Sequence, residues 1–361
     1  MNPDDKDYVS LPKTELRGTD FSNQISIDNN GIDLPRPFVF TMTPLESHPD
    51  YYTKKDKLDR SIVLYDNAGE HFEIGRDSGT NLATVHLVHS DGIIFLYDPL
   101  KDIRLKAQCS ENDPQVSKHA TYVNQIVIFS EMVARIHKFA NLKANEKYTK
   151  PLIIAVPKFD AWKESFPLQL DKEAFIVFDN DSTPYLDMGA VCNVSFCLRR
   201  YLLKVAPEIV GMAEGFADKV YFIPMSALGR MPEYDEEKGM IGIKPDHIQP
   251  IWAEVPFLLQ LHLNGLLPAV YVDDESIPLI DKYQFKNQHI SFAFPSGVEH
   301  FTLPSYYCGK ILFNEEDQKY YRLPELQDAP ENSTLSDVQP EEESESNADQ
   351  GLIKDKGFWE N

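Results

Sequence analysis

The chain has 361 residues, 42% of them hydrophobic, enough for one large domain or two small ones with a proper core. Its 35 basic residues are outnumbered by 57 acidic ones, a net charge of -22, which argues against nucleic acid or an anionic membrane as the main partner because their phosphates would be repelled. The acidic start Met1-Asn2-Pro3-Asp4-Asp5-Lys6-Asp7 is the opposite of a signal peptide, and no apolar run approaches the roughly 20 residues of a membrane helix; a soluble, cytoplasmic protein is expected.

Residues 1–35 are polar, with turn signals at Asn29-Asn30-Gly31 and Pro35-Arg36-Pro37 and no apolar run. Phe38 to Thr43 predicts a strand and Arg60 to Tyr65 the next, whose apolar run ending at Asp66 reads as buried, the two forming an antiparallel pair across a polar linker. Gly75 to His89 predicts a helix starting near Asp77-Ser78, with Leu82, Val85, Leu87 and Val88 turned inward. Asp91-Gly92-Ile93-Ile94-Phe95-Leu96-Tyr97-Asp98 is an apolar run too short for a helix and bounded by turn residues, hence a buried strand. A polar connection over Lys101 to Lys118 leads to an amphipathic helix from Thr121 to Leu142, where Ile126, Phe129, Met132, Val133, Ile136 and Phe139 recur at helical steps. Pro151 to Val156 and Val220 to Met225 predict two more buried strands. Between them a helix over Val194 to Val210 is expected to kink or split at Pro207. A last apolar helix, Ile251 to Leu263, ends at Asn264-Gly265.

Apolar strands alternating with helices predict an α/β fold, a mainly parallel sheet with helices on both faces. That domain is expected over residues 1–268, followed by a small β-rich appendage over 269–324, where His289 to Phe294 and Tyr306 to Phe313 read as short strands. Residues 325–361, with Glu341-Glu342-Glu343-Ser344-Glu345-Ser346, cannot bury enough surface to order themselves and read as an acidic tail. Cys109, Cys192, Cys197 and Cys308 show no C-x-x-C spacing and are expected as reduced thiols. His86 and His89, three apart, read as surface or core histidines.

Ligands of such sheets bind at the carboxyl ends of the strands. The residues standing there are Asp66-Asn67-Ala68-Gly69-Glu70-His71, then Pro157-Lys158-Phe159-Asp160, then Ser226-Ala227. Asp-x-x-Gly, Lys-x-Asp and Ser-Ala, in that order and each closing a strand, resemble the GTPase class of Ras-like proteins and translation factors. The wording Leu64-Tyr65-Asp66-Asn67-Ala68-Gly69-Glu70 is closer still to bacterial GTPase domains of the double-GTPase type. The resemblance spans residues 10–268 and implies a three-layer sheet of the P-loop NTPase kind.

It also implies roles. Asp66 would hold Mg²⁺ through water, and Gly69 would bond the γ-phosphate of GTP. Glu70 stands where Ras-like proteins carry the water-orienting glutamine; a carboxylate accepts from water but cannot donate to the phosphoryl group, so Glu70 would act as a base or His71 would take its place. Asp160 would accept from guanine N1–H and N2–H₂, Lys158 would stack along the base, and Ser226 and Ala227 would present N–H to the guanine O6. Pro157 departs from the Asn or Thr usual before that lysine. Thr14 is the candidate switch threonine, with Thr19 close behind.

One part of the pattern has no counterpart. No stretch matches G-x-x-x-x-G-K-[ST], which supplies the N–H cradle and lysine for the phosphates. In the resembled fold the strand before that loop lies mid-sheet, between the strands ending at Asp66 and Asp98. Two expectations follow. Either the strand and loop lie upstream of Met1, so that the chain is a switch or slow GTP hydrolase once a segment or partner protein supplies them, or the fold is a degenerate scaffold that binds proteins, such as an effector. Both predict an open central slot with exposed apolar edges.

Overall fold

A computed structural model describes residues 22–27, 30–67, 72, 84–117, 124–143, 145–170, 174–235, 240–270, 276–297 and 299–326. Thr14, Gly69, Glu70 and His71 lie outside them, as do most of the helix expected from Gly75 and all of 327–361.

The N-terminal stretch, read as polar and without an apolar run, contains a hairpin, β1 (Ser22–Ile27) with β2 (Asn30–Pro35), in register from Ser22↔Pro35 to Ile27↔Asn30. Its signal is alternation: Ile25 and Ile27 on one strand, Ile32 and Leu34 on the other, at period two. Next come β3 (Phe38–Met42), α1 (Tyr51–Leu58) and β4 (Arg60–Leu64). β3 and β4 pair antiparallel, Phe38↔Leu64 through Met42↔Arg60, as the sequence predicts. The burial expected for β4 is not found. Both strands form a two-stranded ribbon with Phe38, Val39, Phe40, Val63 and Leu64 exposed, outside the parallel sheet.

The short α2 (His86–His89) leads into β5 (Ile93–Leu96). The connection read as polar carries two short helices, α3 (Ile103–Lys106) and α4 (Pro114–Ser117), and seats Leu105 in the core. α5 (Gln125–Ala140) starts at Asn124, whose Oδ1 accepts from Val127 N–H at 3.3 Å, and stops at Asn141 in the left-handed conformation at φ 58°. Phe129, Met132 and Ile136 form its buried stripe.

β6 (Leu152–Val156) has all five residues fully buried, because it is central: β5 and β9 (Val220–Pro224) flank it in parallel, with Ile93↔Leu152 and Leu152↔Val220 in register. Between β6 and β9 lie α6 (Phe159–Trp162), β7 (Ile176–Phe178), β8 (Pro184–Asp187), α7 (Met188–Val205) and α8 (Pro207–Phe216). Pro207 divides the helical stretch as expected, but α7 begins earlier than its apolar pattern indicates because Asp187 caps it, accepting from Ala190 N–H at 3.0 Å.

Past β9 come β10 (Glu233–Asp235), β11 (Met240–Gly242), α9 (Val255–Leu263) and β12 (Ala269–Val270), the last paired in parallel with β8. The sheet β13 (Tyr283–Lys286), β14 (His289–Ala293), β15 (His300–Pro304) and the hairpin β16 (Ile311–Asn314), β17 (Lys319–Arg322) complete the described chain. They continue the core of α7: Asn193 Oδ1 accepts from Phe313 N–H at 2.6 Å, and Phe196 meets Phe294 and Phe301 edge-on.

α7 and the C-terminal strands also close one side of the parallel sheet. Phe222 N–H donates to Ser195 Oγ at 3.0 Å, Val220 N–H donates to Tyr306 Oη at 3.3 Å, and that hydroxyl donates to Val220 C=O at 2.7 Å. The outer edge of β9 is thus capped by side chains, one way of disarming an edge strand. No described helix is long and apolar enough to cross a membrane. None of the four cysteines is in a disulfide among the described residues, and all four are buried.

Candidate functional site

Three strands of a parallel sheet deliver four polar residues to one end. Asp98 follows β5, Lys158 and Asp160 follow β6, and Ser226 follows β9. The turn after β6 is tight because Lys158 adopts φ 57°, ψ 37°, in the left-handed region, so that α6 starts at once. Phe159 N–H reaches Met225 C=O at 2.9 Å, binding the turn to the end of β9, and Trp162 Nε1–H reaches Pro157 C=O at 3.1 Å within the turn itself.

The Lys158 ammonium straddles the Asp98 carboxylate, Nζ lying 3.0 Å from Oδ1 and 2.8 Å from Oδ2. Asp98 is itself held at the main chain by Gln125 of α5: its N–H donates to Oε1 at 2.7 Å and its C=O accepts from Nε2 at 2.9 Å. A charge-assisted pair on a clamped carboxylate fixes the lysine alongside the sheet end. Lys158 therefore carries a carboxylate partner that the sequence did not disclose.

Asp160 is buried, and its Oδ1 accepts from Ser226 Oγ–H. The same hydroxyl oxygen accepts from Gly229 N–H at 2.8 Å. Gly229 has φ 73°, and a Cβ there would come 1.5 Å from Gln249 C=O, so the loop after β9 closes only on glycine. Ser226 and Ile251 exchange main-chain hydrogen bonds at 2.8 and 2.9 Å, fixing the serine. Ala227 is exposed beside it. Asp160 Oδ2 makes no hydrogen bond among the described residues.

Two further residues join this cluster. Asp113 is buried; its Oδ1 accepts from Gln115 N–H at 2.8 Å, while Oδ2 has no partner. Burial pushes its carboxyl above the usual carboxylate range, and the charge of Asp160 adds to that. Cys109 is pushed up to about 11 by burial and then by Asp113 and Asp98, which makes it a poor nucleophile. Asp98, Asp113 and Gln125 were missed from sequence. Asp98 alone carried a signal, closing an apolar run as Asp66 and Asp160 do.

Asp66 is exposed at the end of β4. Its neighbours turn toward α2: the Tyr65 ring stacks on His86 with centroids 4.1 Å apart, and Asn67 Nδ2 lies 3.0 Å from His86 Nε2. Among the described residues no three His, Cys, Asp or Glu side chains converge to hold a metal ion. Mg²⁺ takes most of its six oxygens from water and phosphate, so a single carboxylate such as Asp66 would hold it only together with a bound nucleotide.

Lys158, Asp160, Ser226 and Ala227, expected from sequence, are thus brought to one place. The cluster holds three carboxylates and one lysine already paired. Such a set attracts adjacent N–H donors and repels phosphate. No family model, no curated protein and no solved structure matches the chain.

Proposed function

We propose that the carboxyl end of the parallel sheet is a base-reading site of the GTPase kind, selecting guanine through Asp160. The observation that carries this reading is the half-satisfied carboxylate of Asp160. Ser226, itself held by Gly229 N–H, ties one oxygen in place, and the remaining lone pairs of the carboxylate would accept the neighbouring N1–H and N2–H₂ of guanine, one on each oxygen, donors that adenine does not offer in that arrangement. The order Asp-x-x-Gly, Lys-x-Asp, Ser-Ala supports the same reading, with a three-layer P-loop-like sheet as its frame. GTP with Mg²⁺ is the ligand it implies, and switching or slow hydrolysis the activity, once a phosphate-binding loop is supplied.

The described residues offer no phosphate cradle, so guanosine should bind weakly, in the millimolar range or about 4 kcal/mol, and GDP and GTP no more tightly. Ligand-observed NMR titration tests this. Asp160→Asn exchanges one acceptor for a donor and should turn the preference from guanosine to xanthosine. A guanosine affinity unchanged by Asp160→Asn would remove the reading.

The exposed placement of Asp66 just past the β3–β4 ribbon favours a second reading, a GTPase-like fold that serves as a protein-interaction scaffold without catalysis. Under it, neither nucleoside binds at any concentration that leaves the fold intact.

A further inference from the structure

The two edges of the parallel sheet are treated differently. On β9 the outward N–H groups of Val220 and Phe222 and the C=O of Val220 are capped by Ser195 and Tyr306. On β5 the bonds to β6 use Ile93 N–H and Tyr97 N–H, so by the period of two the groups of Ile94 and Leu96 face outward. Gln125 caps the next outward residue, Asp98, yet Ile94 and Leu96 find no such cap among the described residues. Their side chains are 38% and 56% exposed.

Across from this edge lies the β3–β4 ribbon. β4 pairs only with β3 among the described strands, leaving its other edge open, and the ribbon exposes Val63 and Leu64. A two-stranded ribbon of this kind is marginal alone. Between the two edges runs a groove of about 980 Å³, lined by Val63 and Leu64 of β4, Ile94 of β5, Leu87 of α2 and Phe257 of α9. Two open backbone edges and an apolar lining fit one extended strand.

We infer that this groove accepts a β-strand from a partner polypeptide, a continuous apolar segment with acidic flanks. A strand enclosed on both faces needs an unbroken apolar run. The chain's own remaining segments do not supply one: outside the described residues no stretch has more than two consecutive apolar residues. The acidic flanks follow from the lining. Lys57 and Arg60 border the groove with Asp91 as its one carboxylate, in a chain of net charge -22. Arg60 donates to the main-chain carbonyls of Asp56 and Asp59, at 2.7 and 2.9 Å, and so keeps its full charge. The mode is strand addition, in which main-chain hydrogen bonds supply affinity and side-chain pockets supply choice. It stands independently of the nucleotide reading.

The test uses the full chain and a fluorescein-labelled synthetic peptide of sequence Asp-Asp-Val-Ile-Val-Ile-Val-Asp. Two N-methylated versions, each blocked on the N–H groups of one strand edge, and a version with lysine flanks serve as comparisons. Expected are saturable binding by anisotropy, at least tenfold weakening by either N-methylated series, and severalfold weaker binding of the lysine-flanked peptide that converges with the parent at high salt. Hydrogen exchange should show the Ile94 and Leu96 amides exchanging fast in the free chain and at least tenfold slower with peptide. Binding indifferent to N-methylation would mark mere apolar adhesion and overturn the proposal. Slow exchange of both amides in the free chain would show the edge already occupied and overturn it as well. A Leu96→Asp variant, altering an exposed side chain, should weaken the acidic-flanked peptide while leaving the thermal transition in place; undiminished binding there counts against the groove.

Discussion

Removing the Ser226 hydroxyl tests the centre of the site most directly. In Ser226→Ala the buried Asp160 loses its hydroxyl donor and Gly229 N–H loses its acceptor. A hydrogen bond to a charged group contributes about 1.5–3 kcal/mol, and a buried orphaned N–H costs about 1–3 kcal/mol, with relaxation of the exposed side of the loop reducing the sum. The expected loss of stability is therefore about 2–4 kcal/mol, read from urea denaturation. The cause is separated by a double-mutant cycle with Asp160→Asn. If the serine acts chiefly on the carboxylate, the two losses are non-additive, with a coupling of about 1.5–3 kcal/mol. Additivity within about 0.5 kcal/mol would show that Ser226 merely ties the loop, and would refute the account of Asp160 as a carboxylate held by Ser226 for a ligand.

Other residues make separable predictions. Asp113 has a folded carboxyl raised by burial, so the stability it contributes is fully present below its unfolded value, about pH 4, and is lost as pH rises through the folded value. Asp113→Asn should accordingly gain stability relative to the parent as pH climbs from about 4 through the raised folded value and hold that gain above, in thermal melts across pH; a constant difference would contradict this. Ser195→Ala leaves Phe222 N–H without its acceptor and removes the Tyr307 hydroxyl's partner at 3.1 Å, both in the core. It should cost about 2–4 kcal/mol and speed hydrogen exchange at Phe222. Glu214→Ala strips the buried Arg199 of a two-point partner, Nη2 to Oε2 at 2.9 Å, that joins α7 to α8 across Pro207. Partial exposure of the glutamate moderates the loss to about 2–3 kcal/mol in denaturant unfolding.

The sheet centre was legible because its strands carry continuous apolar runs. Leu152 to Val156 and Val220 to Pro224 admit no other burial, and the three- and four-residue steps of α5 are equally plain. The same rule misjudged β4. Ile62-Val63-Leu64 is as apolar as Ile153-Ile154, but a run reports the affinity for cover and not whether cover is present. The β1–β2 hairpin escaped notice because it rests on isolated alternating residues. Within the site, Lys158, Asp160 and Ser226 were found because they stand just past buried strands. Asp113 and Gln125 were not, since they come from a connection and a helix whose approach depends on tertiary packing. Asp187 shows the same limit on a smaller scale: its cap set the start of α7 against the apolar pattern.

The Gln125 amide has a consequence for reach along the β5 edge. It offers Asp98 one carbonyl and one N–H, the pair that a neighbouring strand residue would offer. Any strand pairing with that edge must therefore stop short of Asp98, since its place there is already taken by a side chain. Gln125 acts as a ruler. It limits backbone pairing to the stretch through Leu96 and keeps the sheet's carboxyl end, with Lys158 and Asp160, clear of the very chain that would complete the sheet.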